Sequence, residues 1–199
     1  MSGALIQLRD LCVRREGRPI CTVESLAVSG GDRLLVQGAN GSGKTTLLRV
    51  MAGLEQDYEG DCALVNRSIR RVYVHQSPYM LRGTIYDNVV MGLQSNGRTG
   101  QAQRAQIADL VDQIGLAPRL HMSATRLSGG EQRRVAIVRA LAAAPDLLLL
   151  DEPFADLDEA GGEAIRALLA SRPEMTTVVA APGDVDLAEG ARIHRLGDI

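Results

Sequence analysis

Residues 38–46, GANGSGKTT, hold the densest chemistry in this chain. They fit G-x-x-x-x-G-K-[ST], a spacing in which each residue type has a job. Gly38, Gly41 and Gly43 let the backbone take positive φ and come close to a ligand, which a Cβ would prevent. The amides from Gly41 to Thr46 can then turn inward as a nest for an anion. Lys44 reaches β- and γ-phosphates, and the Thr45 hydroxyl is placed to ligate Mg²⁺. The chemistry is that of holding a nucleoside triphosphate, with Gly38, Asn40, Gly41, Ser42, Gly43, Lys44, Thr45 and Thr46 as its contacts. An apolar run, Leu34-Leu35-Val36, precedes the loop and reads as a buried strand. Leu47 to Met51 continue a helix whose N-terminus also favours negative charge.

Two further stretches carry chemistry. Leu127-Ser128-Gly129-Gly130-Glu131-Gln132 opens a helix that runs to Ala143 and is followed by Pro145. Its glycines leave free amides and Ser128 adds a hydroxyl, so it reads as a second anion-binding helix terminus. Leu147–Leu150 is wholly apolar, as a parallel strand buried on both faces would be. Asp151 and Glu152 stand together at its C-terminal end, where open α/β sheets bind ligands.

The elements that must position these groups can be read in order. Residues 4–9 and 20–28 alternate as strands of a small sheet joined by a polar turn near Arg15–Arg18. Gly30-Gly31-Asp32 turns the chain into the strand before the phosphate loop, whose helix stops near Gly53. Short strands are expected at Cys62–Val65 and Arg71–His75, ended by Gln76-Ser77-Pro78. A helix capped by Thr84 should run to Met91, with a polar linker over 92–100. Gln101–Ile114 follows as a helix with Ile107, Leu110, Val111 and Ile114 on one face. Residues 159–170 read as a helix, with strands at 176–181 and 192–196.

At 199 residues the chain suits one domain with a sizeable core. With 45% hydrophobic and 23% charged residues, it has the composition of a soluble globular protein. A net charge of -2 without a basic block, 3% aromatic residues and no tryptophan give no footing for nucleic-acid binding. Cys12, Cys21 and Cys62 form no paired ligand spacing and read as reduced thiols of a cytosolic protein. No signal peptide or spanning segment is expected. His75, His121 and His194 sit in no motif and read as satisfied or exposed side chains.

The phosphate loop, LSGGEQ at 127–132 and LLLLDEP at 147–153, in that order, resemble the nucleotide-binding subunit of ABC transporters. FADLD at 154–158 matches the loop which that family carries after its catalytic glutamate. The resemblance covers nearly the whole chain. It implies an α/β fold: a phosphate-loop NTPase core with a small antiparallel β-subdomain and an α-helical subdomain inserted at about 77–127, all in one domain over 1–199. It implies ATP and Mg²⁺ as ligands, with Asp151, Thr45 and Gln76 around the metal. Glu152 is then the general base toward water, alongside Lys44 and Gln76. Ser128, Gly129 and Gly130 are implied to contact the γ-phosphate held by an opposite subunit, in a head-to-tail homodimer or heterodimer. Asp156 and Asp158 match the loop that links its two sites.

Three departures from the family pattern stand out. Near Arg14 and Arg15, where an aromatic commonly stacks on adenine, only arginines occur, and they could stack by cation–π contact. The interval from Thr45 to Gln76 is short, so the antiparallel subdomain looks trimmed. Gly183 stands where the family has its switch histidine. SPYMLRGTIYDNV at 77–89 resembles the permease-facing region of small importer-like or metal- and oxyanion-related cassettes.

The implied function is an ATP-binding and hydrolysing subunit that energises solute transport through separate transmembrane permease subunits. It would be cytoplasmic and peripheral on the inner face of the membrane, in contact with it only through the permease. Two alternatives differ in class: a non-transport ABC-type ATPase of repair, translation or assembly control, and an ATP-dependent dimerising regulatory module with weak hydrolysis, which Gly183 supports.

Overall fold

The computed structural model describes residues 3–94, 100–185, 187 and 190–197, the side chains of 101 and 102 excepted. The chain divides into two compact units. The first takes residues 1–73, 146–152 and 173–199, and the second 74–145 and 153–172.

In the first unit, β1 (Ala4–Arg15), β2 (Arg18–Ser29) and β4 (Glu59–Leu64) form an antiparallel sheet in the order β2-β1-β4. The first two strands are longer than their alternation predicts, and the reason is a change of phase. Ile6 and Leu8 are buried, then Leu11 and Val13; opposite them, Cys21 and Val23 are buried, then Leu26 and Val28. The switch falls at Asp10, whose φ is 48°, and the β1–β4 register slips between Arg9 and Cys12. A bulge of this kind inserts a residue and swaps the faces, which hides one long strand behind two short patterns. Gly60 is required there, because a Cβ on it would lie 2.2 Å from the Asp10 carbonyl oxygen. Cys21 packs in this core, and burial, with Cys12 nearby, pushes its thiol up to about 11, so it stays protonated.

The second sheet has the order β5-β6-β7-β3-β8, from β3 (Arg33–Gln37), β5 (Arg71–Val74), β6 (Leu147–Asp151), β7 (Thr176–Ala181) and β8 (Arg192–Arg195). β3 pairs in parallel with β7 and β8, and β6 with β7. Every residue of β6 and β7 is buried, as their unbroken apolar runs require. Helix α1 (Lys44–Ala52) packs on β6 and β7 and ends at Gly53, whose φ of 78° closes the helix. Leu47, Leu48 and Met51 of α1 join Leu34, Leu149 and Val178 in one core with the antiparallel sheet.

The second unit is built from α2 (Ile85–Gln94), α3 (Gln101–Asp112), α4 (Gly129–Ala142) and α5 (Glu159–Ala170), with short 3-10 turns at 117–119 and 124–126. The Thr84 hydroxyl accepts from the Asp87 amide at 3.1 Å, the cap its sequence announces. The linker expected over 92–100 is partly wrong: Gly92 to Gln94 continue α2, while 95–99 lie outside the described residues. The α3 face is as expected, with Ile107, Leu110, Val111 and Ile114 all at 3% exposure or less. Asn88, fully buried, bonds to both the amide and the carbonyl of Leu81 and to the Thr84 carbonyl, and it accepts from Arg139 at 3.1 Å. One side chain thus holds the loop before α2 against α4.

Where α2 crosses α4, Gly92 is the contact. A Cβ there would sit 2.1 Å from the Arg139 carbonyl oxygen and 2.9 Å from Ala142 Cβ. Intrinsic propensity favours alanine over glycine in a helix by about 1 kcal/mol, but backbone cannot move aside as a flexible side chain can. Gly92→Ala should therefore lower unfolding free energy by about 1–3 kcal/mol. A urea titration in which the variant is as stable as the parent, or more so, would contradict the crossing.

Candidate active site

The phosphate loop leaves β3 and enters α1 through two tight approaches. A Cβ at Gly38 would lie 2.4 Å from Ser42 Oγ, and one at Gly43 would lie 2.2 Å from the Ile20 carbonyl oxygen. Gly43 also has φ 89° and Gly41 has φ 87°, a region that side chains resist. Gly43 is the N-cap and supplies no side chain, so the first amides of α1 have no intrahelical acceptor. The Lys44 Nζ, in a side chain only 5% exposed, donates to the Gly38 and Ala39 carbonyls at 2.8 Å each. An ammonium has three donors; two brace the loop and one remains for an anion. Asn40 and Gly41 are exposed at the loop crest, and Thr45 and Thr46 are half-buried. Ser42 Oγ is buried without a hydrogen-bond partner among the described residues.

Because β3, β6 and β7 run parallel, their C-terminal ends lie along one edge of the sheet. The loop leaves the first, Asp151 and Glu152 end the second, and Pro182-Gly183-Asp184 follow the third. Asp151 is 2% exposed. Its Oδ2 accepts from the Tyr73 hydroxyl at 2.9 Å, while Oδ1 has no partner among the described residues. A buried carboxylate oxygen left open in this way fits a hydrated divalent cation, since burying it unpaired is otherwise unfavourable. Burial first, then the Asp151 charge, raises the Tyr73 phenol far above its usual range, so it remains a donor.

Glu152 has φ 47°, an unusual conformation for a residue with a Cβ. Its amide donates to the Ala180 carbonyl at 3.0 Å, which pins the turn to β7. Such local strain, over-determined by its surroundings, is common at functional sites. Gly183 is exposed, and a Cβ on it would meet nothing within 4 Å. The neighbouring Asp184 carboxylate accepts from Gln37 Nε2 at 2.8 Å, and Gln37 Oε1 in turn accepts from Arg195 at 3.0 Å.

The remaining expected residues lie in the second unit. Ser128 is the N-cap of α4: its hydroxyl accepts from the Glu131 amide at 3.3 Å, and the Glu131 carboxylate accepts from the Ser128 amide at 3.0 Å. This capping box uses the hydroxyl oxygen locally, while the helix-start amides of Gly129 and Gly130 have no intrahelical acceptor. Asp158 caps α5 by accepting from the Gly161 amide at 2.9 Å. Gln76 is exposed, and its carbonyl accepts from Arg133 at 2.7 Å.

The arginines near the first turn are half-exposed and engaged in surface ion pairs. Arg14 pairs with Glu59 at 3.2 Å, and Arg15 pairs with Glu55 and Asp57. The Asp57 amide above all, with Arg15 beside it, holds the Glu55 carboxyl below its usual range. The three histidines take local roles. His75 Nδ1 accepts from the Ser77 amide at 2.9 Å, His121 lies against Tyr86, and burial aided by Arg192 keeps the His194 imidazole below its ordinary pKa. Sequence reasoning missed Tyr73 and Arg133. A tyrosine in a strand, needing a partner for its hydroxyl when buried, was the available signal for the first. Arg133 sits in a polar run that reads as helix surface and gives none.

A glycine-rich loop between a buried strand and a helix, beside a strand-end carboxylate pair, defines a phosphate-loop NTPase fold. A sequence model described as ABC transporter matches residues 22–155, and the chain belongs to that family through its nucleotide-binding domain. It is 37% identical over 163 residues to the Fe(3+) ions import ATP-binding protein FbpC of Streptomyces avermitilis, covering 77% of this chain and 47% of that one. It is 41% identical over 157 residues to the aliphatic sulfonates import ATP-binding protein SsuB 2 of Pseudomonas syringae pv. syringae, covering 78% and 54%. The chain thus spans about half the length of these two relatives. With the lipoprotein-releasing system ATP-binding protein LolD of Alcanivorax borkumensis, identity is 36% over 159 residues, covering 72% and 70%. Among solved structures it is similar to an ATP-binding cassette captured as a post-hydrolysis dimer bound to ADP and Pi, with TM-score 0.81, 26% identity and coverage of 96% and 94%.

Tyr73→Phe removes the hydroxyl that donates to Asp151 Oδ2, beside an Oδ1 that already has no partner among the described residues. Unfolding free energy should fall by about 1–3 kcal/mol. Chemical denaturation of the two proteins measures it, and an unchanged midpoint and slope would mean that the hydroxyl does not hold the carboxylate.

Proposed function

We propose that this chain is the ATP-binding and hydrolysing subunit of an ABC transporter, energising solute passage through separate membrane subunits. The observation that carries the reading is one sheet edge with a braced phosphate loop, a buried carboxylate with an open oxygen, and a strained glutamate beside it. The names of the three relatives support it, since each is the ATP-binding protein of an import or releasing system.

In this reading the α1 amides and Lys44 hold the β- and γ-phosphates, with Gly38, Asn40, Gly41, Ser42, Gly43, Thr45 and Thr46 forming the cradle. Asp151, Thr45 and Gln76 would hold Mg²⁺, which supplies charge neutralisation at the phosphates when bound. Glu152, at the strand end in a turn pinned by its amide on Ala180, accepts the proton of the attacking water. Ser128, Gly129 and Gly130 of a second copy offer a hydroxyl and helix-start amides to the γ-phosphate, so two copies enclose two nucleotides. Asp156 and Asp158 belong to the segment that senses the opposite site. The chain makes one ATPase domain over 1–199, with an α-helical subdomain inserted in the core over about 77–127. No helix among the described residues is long and apolar enough to cross a membrane. Contact with it, on the cytoplasmic side, runs through the permease.

Glu152→Gln keeps the shape of the side chain but cannot take a proton. It should retain nucleotide binding, lower the hydrolysis rate by about 10²–10⁴-fold, and form an ATP-dependent dimer on size-exclusion chromatography. Lys44→Ala should instead abolish binding. A Glu152→Gln protein that hydrolyses at the parent rate removes the proposed base.

A second reading, a module that dimerises on ATP but hydrolyses weakly, is supported by Gly183. A Cβ on it would meet nothing within 4 Å, so the first atom of a histidine side chain is accommodated. If turnover is slow for want of that side chain, Gly183→His should raise it by up to about 10²–10³-fold, by analogy with a restored transition-state donor. Steady-state rates at saturating Mg²⁺-ATP decide this. A fast parent with no gain from histidine shows that the chain works without the switch.

A further inference from the structure

Arg133, in the second turn of α4, is the most buried charged residue among the described residues of the helical unit, at 5% exposure. Its Nη2 donates to the Gln76 carbonyl at 2.7 Å, and both terminal nitrogens lie 3.4 Å from Asp156 Oδ2. Its Nε is buried with no partner among the described residues. The side chain of Asp156 is itself 83% exposed, and its backbone has φ 56°. The first turn of α4 reinforces the arrangement, because a Cβ on Gly130 would lie 3.0 Å from the Asp156 carbonyl oxygen.

As a stabilising device this is poor. A guanidinium removed from water needs its donors satisfied and a close counter-charge; here one donor is unmet and the carboxylate is distant and solvated. An apolar side chain of similar volume would fill the place at no loss of stability. The next residue also has a buried Nε with no partner among the described residues, but Arg134 donates to the Ile114 carbonyl at 2.9 Å and fastens the segment that follows α3. Arg133 differs in that its two partners belong to separate loops, each of which carries a residue of the proposed reaction.

We propose that Arg133 is a positioning residue that ties the main chain at Gln76 to the loop at Asp156, so that the two segments are displaced together. It touches neither nucleotide nor water, and acts by fixing where Gln76 and the Asp156–Asp158 loop stand. This rests on the ATPase reading for its consequence, but the tie itself is a property of the free chain. The long Arg133–Asp156 contact gives it room: movement of either loop shortens or breaks the ion pair and is felt by the other through one rigid guanidinium.

The test uses the full chain with Arg133→Met, Arg133→Lys and Asp156→Asn. Hydrogen–deuterium exchange of the nucleotide-free proteins should show faster exchange in both the 75–79 and 154–158 segments of Arg133→Met, with the 33–52 segment unchanged. Thermal melting should show no loss of stability. In steady state the Met variant should lose about 10- to 10²-fold in kcat, as small misplacements do, with KM for ATP held within about twofold. Lysine, which keeps the charge but not the fork, should recover part of this, and Asp156→Asn added to Arg133→Met should cause no further loss. Exchange that rises in only one segment, or in neither, overturns the tie. So does a kcat loss that adds fully in the double variant, or a Met variant as active as the parent. A parent protein with no ATP turnover defeats the ATPase reading instead, and the exchange result still decides whether Arg133 joins the loops.

Discussion

A Cβ on Gly43 would lie 2.2 Å from the carbonyl oxygen of Ile20, and the phosphate loop depends on that close approach. Strand β2 presses against the point where the loop becomes helix, so that only glycine fits, and it does so with φ 89°. The N-cap there has no side chain, so the first amides of α1 have no intrahelical or side-chain cap acceptor. Two braces then hold the cradle open: Lys44 across the Gly38 and Ala39 carbonyls, and Ser42 against Gly38. The antiparallel sheet is thus part of the phosphate site as well as a cover for the core.

The second constraint is the parallel sheet. Because β6, β7 and β3 are neighbours and point the same way, three loops with chemical groups open on one edge. Nothing in this arrangement requires long-range steering of side chains; strand direction alone collects them. Buried polar atoms mark where the protein has been built for something beyond folding. Asp151 Oδ1 and Ser42 Oγ are both withdrawn from water and unbonded among the described residues. Each is a site where a ligand can supply what the fold withholds.

Positive φ at side-chain-bearing residues occurs at five described positions, two of them in one loop. Glu152 and Asp156 both take positive φ, and both flank the segment that leaves β6. The turn is held at one end by the amide of Glu152 on Ala180, and at the other by Arg133 and the close contact with Gly130. A loop so held does not relax to an ordinary turn, and its residues keep orientations that a flexible loop would lose.

How much of this could be read from the chain follows from the range of the interactions. Local physics determined the elements: the capped starts of α2, α4 and α5, the apolar runs of β6 and β7, and the amphipathic face of α3 are consequences of neighbours within a few residues. The phosphate loop, with Asp151 and Glu152, was legible for the same reason, since spacing within one segment fixes its geometry. Strand lengths in the antiparallel sheet were not, because the bulge at Asp10 is imposed by Gly60, far away in sequence, and reverses the alternation on which the reading relied. The Tyr73–Asp151 bond, the ion pairs that occupy Arg14 and Arg15, and the span of Arg133 from Gln76 to Asp156 also join residues remote in the chain. A side chain's type tells what bonds it can make; only the packed fold decides which partner is within reach.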